Sequence, residues 1–317
     1  MAHVTFIHGI SNQPAPDELL PVWCRALADA AAPVSLSDSG ISSSLVYWAD
    51  LMYHEPIADT SAHEGVLENT AAAIDGAGDA EMPIPSTAEE AAFIRALRGK
   101  LTTLSDAELA DAEMELAEQP MVTEGAQAAL ERVPLPWFIK RPMMKAFLRD
   151  VHHYLFDVEF APGGRPPVHI RQTIRRRFTA AVCAPAVSRP HVVVAHSMGT
   201  VIAYDCLKRV ADCDKIDGLI TIGSPLGLDE IQDKLQPGWS REDGFPGTSL
   251  IGRWVNLFDR LDPVAGFDAQ LANDYRRGGL GQIEDIVIQN PGVWRHSATK
   301  YLRQPRFTAA LREMLQL

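Results

Sequence analysis

The residues with the clearest capacity for covalent chemistry lie in "VVVAHSMGTVIAYDCL" (192–207), where three valines lead through His196-Ser197-Met198 into a helical pattern. A strand that turns into a helix within one residue strains the corner residue. Its neighbours must then be small, because strand and helix pass close together; Ala195 and Gly199 meet that demand. The bend would lift the Ser197 hydroxyl above the end of a sheet, at a helix N-terminus that favours developing negative charge. An ordinary strand-to-helix turn with a serine cap is the competing reading. A serine hydroxyl is a poor nucleophile until a base takes its proton, so the reactive reading demands a histidine and a group to orient it.

Of ten histidines, only His296, in "NPGVWRHSATKYL", follows the last expected strand, on a loop at the sheet's C-terminal edge. His196 adjoins the serine, but neighbours at a sharp bend point in different directions. His152 and His153 read as the polar face of a helix. For the acid, "VNLFDRLDPVAGFD" offers Asp259, Asp262 and Asp268. Asp262 is preferred because Pro263 restrains it to an extended backbone that can present a carboxylate to a neighbouring loop. Asp259, and Asp229 after "TIGSPLGL", stay open as alternatives. The order along the chain is Ser197, Asp262, His296.

The elements that must hold these groups read as three parts. Residues 1–54 carry the β-branched run "HVTFIHG", a helix with Leu20, Trp23 and Leu27 on one face, and a second strand, "SSLVYWAD". Residues 55–164 are mostly helical, with caps at Ser86-Thr87 (with Glu89-Glu90) and at Ser105, and with a low-complexity stretch at about 70–86. Residues 165–317 return to alternation: a helix after Pro166-Pro167, strands near 190–195, 217–222, 252–258 and 283–289, and a closing helix with Phe307, Leu311 and Leu315. Such alternation predicts an α/β fold, a mostly parallel sheet of about six strands covered by helices, with residues 55–164 inserted as a helical cap or lid.

The matched pieces are His8-Gly9-Ile10, Ala195-His196-Ser197-Met198-Gly199, Thr221-Ile222-Gly223-Ser224-Pro225, Asp262-Pro263-Val264 and His296. Together they resemble the α/β-hydrolase superfamily, in its lipase or esterase form, over the first and third parts and not the insertion. One departure is Ala195 where many members carry glycine. Another is that the antiparallel strands that usually precede the oxyanion strand are not expected from this sequence. The resemblance implies an oxyanion hole built from the N–H groups of Ile10 and Met198. It implies substrate contact at His8, Gly9 and Ser224, with His8 shaping the loop by hydrogen bonding. The reaction expected is cleavage of a carboxylic ester through an acyl-enzyme, with no metal and no organic cofactor. Acyl transfer or thioester cleavage would use the same groups, and a non-catalytic binding module is the contrasting class.

The net charge of −12 speaks against a nucleic-acid partner; residues 51–130 hold 16 acidic and 3 basic residues. No apolar run approaches the roughly 18 to 20 residues that span a bilayer, so stable membrane insertion is not expected. The absence of a recognisable leader suggests the cytoplasm. Cys24, Cys183, Cys206 and Cys213 show no metal spacing and read as buried reduced thiols. In "LPWFIKRPMMKAFLRDVHHYLF" the stripe Met144, Phe147 or Leu148, Val151 and Leu155 reads as a surface that docks the insertion onto the core, with a lipid-facing lid helix as the alternative. Arg171, Arg175, Arg176 and Arg177 read as a solvated basic face. An acyl ester or lipid-like small molecule is the expected substrate.

Overall fold

The computed structural model describes residues 2–58, 80–100 and 137–317, apart from 185, 186, 212, 248, 267, 279, 281 and 293. The Ser105 cap and most of the low-complexity stretch lie outside these residues. In chain order the elements are β1 (His3–Ile7), α1 (Pro16–Ala28), β2 (Ser42–Val46), α2 (88–100) and α3 (Trp137–Leu155). There follow β3 (Glu159–Phe160), β4 (Val168–His169), α4 (Ile170–Val182), β5 (His191–His196), α5 (Met198–Arg209) and β6 (Ile216–Ile222). The chain closes with α6 (Asp229–Leu235), β7 (Leu250–Asp259), β8 (Ile283–Ile288), α7 (Ala298–Leu302) and α8 (Pro305–Leu315).

Six strands form one sheet in the order β2-β1-β5-β6-β7-β8, and each of its ladders is parallel. β3 and β4 pair separately as a short antiparallel ribbon. The period-two pattern of β5 sends alternate residues to opposite faces. Val193 and Ala195 join the cluster of Ile170, Ile174 and Phe178 from α4 and Val201 and Ile202 from α5. Val192 and Val194 join Leu19, Val22 and Trp23 from α1 and Phe307 and Leu311 from α8. Helices therefore cover both faces, which explains the near-continuous apolar runs of the central strands.

The winding reverses between β1 and β5, since β2 lies to one side of β1 and β5 through β8 to the other. Loops leaving the carboxyl ends of β1 and β5 diverge there, and the crevice between them is where open parallel sheets bind ligands. Those loops are the His8–Gln13 loop and the Ser197 corner.

The stripe on α3 lies in the core at Phe147, Leu148, Val151 and Leu155, which are buried in one cluster with Phe93, Ile94 and Leu97 of α2 and with Ile7, Ile10 and Met198. Met144 is only half-buried against that cluster, and its neighbour Met143 is the methionine inside it. The expected cap at the start of α2 is formed: Thr87 Oγ1 accepts the Glu90 N–H at 3.1 Å, and the Glu90 carboxylate accepts from Ser86 N–H at 2.9 Å and Ser86 Oγ at 2.6 Å. Three sequence expectations are corrected here. His152 and His153 are buried rather than solvated: His152 Nε2 meets Glu90 Oε2 of α2 at 3.1 Å, and the His153 ring stands edge-on to Phe160 of β3. Cys183 is exposed and Cys24 half-buried, while Cys206 and Cys213 are buried. The basic face is likewise only partly solvated: Arg175 is tied to buried Asp205 and Arg177 to Asp50. Among the described residues no helix is long and apolar enough to cross a membrane, and no group of three or more His, Cys, Asp or Glu side chains is placed to hold a metal ion.

Candidate active site

β5 ends at His196, α5 begins at Met198, and Ser197 alone makes the corner, with φ 53° and ψ −127°. That left-handed backbone in a residue with a side chain costs on the order of 1–3 kcal/mol and persists only where the surroundings impose it. Here they do: Ser197 N–H donates to Ile222 O on β6 at 3.0 Å, and Thr200 Oγ1 returns a bond to Ser197 O at 2.6 Å. The small neighbours have a measurable reason. A Cβ on Gly199 would stand 2.6 Å from His8 O and 2.7 Å from Ile7 O, so only glycine lets α5 start against the end of β1. A Cβ on Gly9 would stand 2.6 Å from Ser197 Cβ, so the β1 loop and the corner are pressed together.

Ser197 Oγ lies 2.8 Å from His296 Nε2, across 99 residues of chain. His296 Nδ1 lies 2.8 Å from both carboxylate oxygens of Asp262. An ionised carboxylate only accepts, so Nδ1 carries the proton and Nε2 presents its lone pair to the serine hydroxyl. Burial pushes the Asp262 carboxyl up, but His296 beside it, their hydrogen bond and donors from Tyr301 and Val264 outweigh that and hold it below its ordinary value. The loop before His296 is braced as well. Asn290 Nδ2 donates to Arg295 O at 2.7 Å, and Lys300 Nζ donates to Pro291 O and Trp294 O at 2.6 and 2.9 Å.

Asp259 takes a different place. It accepts from Asn290 N–H at 2.6 Å, Leu261 N–H at 2.9 Å and Arg295 Nη1 at 3.2 Å, so it staples the end of β7 to the histidine loop. Asp229 sits in the first turn of α6, with Lys100 Nζ at 3.3 Å. Of the alternatives weighed for the acid, Asp262 is the one whose carboxylate meets His296.

The side chains expected to touch substrate do other work. His8 is fully buried; its Nε2 accepts the Trp48 N–H at 2.9 Å, its Nδ1 donates to Gly9 O at 2.9 Å, and its ring stacks on Trp48. Ser224 Oγ is paired with Thr200 Oγ1 at 2.8 Å and accepts the Leu226 N–H at 3.2 Å. Both brace the loops around Ser197, because their polar atoms are spent inside the protein; substrate contact through these two side chains is withdrawn. Gly9 keeps its place against Ser197. Met198 is the first residue of α5, so its N–H has no acceptor within the helix. The Ile10 N–H meets no acceptor among the described residues.

The sequence reading missed Tyr301, and it turned His196 away from the serine without giving it a partner. Tyr301 donates its hydroxyl to Asp262 Oδ2 at 2.7 Å and accepts the Asp259 N–H at 3.1 Å, which fixes both carboxylates relative to each other. His196 donates Nε2–H to the backbone carbonyl of His296 at 2.8 Å; burial, followed by the nearby His296, depresses it to about 3, so it is neutral and cannot compete as a base. The spacing "HSATKYL" puts Tyr301 about one helical turn past His296, but nothing in that spacing says where its hydroxyl points.

No protein-family model and no curated protein matches this chain. Among solved structures it is similar to the crystal structure of an uncharacterized protein from Pseudomonas aeruginosa, at 10% identity and a TM-score of 0.30. That likeness covers 91% of this chain and 40% of the other, so the chain spans well under half the length of that structure. A likeness at that score says nothing about what this chain does.

Proposed function

We propose that this chain is a serine hydrolase of the α/β-hydrolase type that cleaves carboxylic esters. The supporting observation is the unbroken hydrogen-bonded line Ser197 Oγ, His296, Asp262, with both contacts at 2.8 Å. Ser197 Oγ attacks the ester carbonyl while His296 Nε2 accepts its proton. Asp262 holds the tautomer that makes this transfer possible and stabilises the imidazolium that results. The negative charge on the carbonyl oxygen falls between the N–H groups of Ile10 and Met198, the latter aided by the N-terminus of α5. His296 then returns the proton to the departing alkoxide, leaving an acyl group on Ser197. Water enters and attacks the acyl carbonyl as His296 takes one of its protons; the bond to Ser197 Oγ then breaks, His296 returns that proton to Oγ, and the acid leaves. The segments containing α2 and α3 serve as a cap beside this site, and no metal or organic cofactor enters any step.

A fluorophosphonate probe with peptide mapping tests the reading. Labelling is expected at Ser197, absent in Ser197→Ala and weakened in His296→Ala. A folded protein that takes no label, and turns over no p-nitrophenyl ester, would remove the enzyme reading in favour of a binding module. An added alcohol that captures the acyl group faster than water would move the assignment to acyl transfer.

A further inference from the structure

Asp150 lies on α3, outside the catalytic line, yet it is almost completely buried. Its Oδ1 accepts from Arg149 Nε and Nη2 at 3.0 and 2.9 Å. Its Oδ2 accepts from the Tyr53 hydroxyl at 3.3 Å and, at 2.9 Å, from the backbone N–H of Ser11. Ser11 follows Ile10 in the β1 loop and has φ of +72°, a conformation that a residue with a side chain adopts only under constraint. The Ile10 carbonyl is held too, by Gln13 Nε2 at 3.0 Å. Both polar atoms of the Ile10–Ser11 peptide are therefore fixed, one from within the loop and one from α3. On the other side of Ile10, Gly9 is pressed against Ser197.

We infer that Asp150 is a positioning residue for the oxyanion loop, through which α3 sets the direction of the Ile10 N–H. The inference rests on the ester-hydrolase reading of the preceding section. An oxyanion hole works only if its donors already stand about 2.7–3.1 Å from where the charge will form. Without the carboxylate, the Ser11 N–H loses its buried acceptor, and the strained φ at Ser11 relaxes by rotating the Ile10–Ser11 peptide. The Ile10 N–H belongs to the preceding peptide, and it loses its aim because the Ile10 Cα is no longer held from the Ser11 side. The ground-state ester, which carries no full negative charge, is bound as before.

The test compares wild type, Asp150→Ala and the double variant Arg149→Met/Asp150→Ala on p-nitrophenyl acetate, with rates expressed per fluorophosphonate-titrated site. The double variant removes the counter-charge that the single one leaves buried, so a folding failure of Asp150→Ala does not end the test. Removing one oxyanion donor outright costs about 10²–10³ in turnover, so a misdirected donor is expected to lower kcat by about 10- to 100-fold with KM within about twofold. The inhibition constant of a trifluoromethyl ketone, whose adduct carries the oxyanion, should rise by the same factor. Variants whose labelled fraction falls while kcat per labelled site stays within about threefold of wild type would reduce Asp150 to a structural anchor and overturn the inference. So would a loss confined to KM. A wild type that neither labels nor turns over ester removes the hydrolase reading, and the positioning role goes with it.

Discussion

Replacing Asp262 by Asn changes one atom and should nearly abolish turnover, for a reason set by its neighbours. Asp262 Oδ1 accepts the backbone N–H groups of Val264 and Ala265 at 2.8 and 3.1 Å, so an asparagine must keep its carbonyl oxygen there. Its NH2 group then occupies the Oδ2 position, 2.8 Å from His296 Nδ1 and beside the Tyr301 hydroxyl, while the oxygen left at Oδ1, also 2.8 Å from Nδ1, is already shared by two backbone donors. A donor at that place pairs with an unprotonated Nδ1, which moves the imidazole proton to Nε2. The nitrogen 2.8 Å from Ser197 Oγ becomes a donor and can no longer take the serine's proton. The wrong tautomer in an otherwise preserved triad costs about 10⁴ in kcat, or about 5 kcal/mol of transition-state stabilisation. The assay is p-nitrophenyl acetate hydrolysis at saturating substrate, with folding checked by thermal melting. Asp259→Asn is the contrast: it breaks a buried pair with Arg295 and should cost about 3–5 kcal/mol of stability, but with turnover per folded molecule within about tenfold of wild type. A folded Asp262→Asn retaining a tenth of wild-type turnover, or an Asp259→Asn that loses more, would refute the assignment of the acid.

Gly9→Ala should place a methyl 2.6 Å from Ser197 Cβ and 3.2 Å from Ser197 Oγ, and a nucleophile displaced by even about 1 Å can lose about 10² in rate. Turnover near wild type in that variant would show that the loop is not pressed on the corner. Acid should destabilise the fold well above the carboxylate range. His196 and His153 are depressed to about 3 and His191 to about 4, in each case by burial first, so the unfolded chain takes up protons below about pH 6.5 that the folded chain refuses. Asp268, raised by burial to about 6, works in the opposite direction, as do Asp150 and Asp259, which burial also raises, but these three carboxyls face five imidazoles, since burial lowers His3 and His152 as well. A urea midpoint that falls between pH 7 and pH 5 is expected, and a flat or rising midpoint would contradict the buried neutral histidines.

Much of this protein was legible in one dimension because it depends on local pattern. Alternating apolar strands and amphipathic helices announced an α/β fold, and the expected strand positions agree within a few residues with β1, β2 and β5 to β8. Ser197 stood out because a bend between a valine run and a helix, with alanine and glycine beside it, is a local steric fact. His296 and Asp262 could be named from their places after particular strands, since a parallel sheet brings successive carboxyl ends to one edge. The choice between Asp262 and Asp259 was different. They lie three residues apart, and only the packing of Tyr301, Arg295 and Asn290 turns one carboxylate toward His296 and the other toward the backbone. Tertiary structure alone also decided that His152 and His153 are buried, that His8 and Ser224 spend their polar atoms within the protein, and that Asp150 reaches Ser11 across 139 residues of chain. The physical reason is that backbone pattern is written in neighbouring residues, whereas the direction of a buried hydrogen bond depends on partners that meet only when distant segments pack.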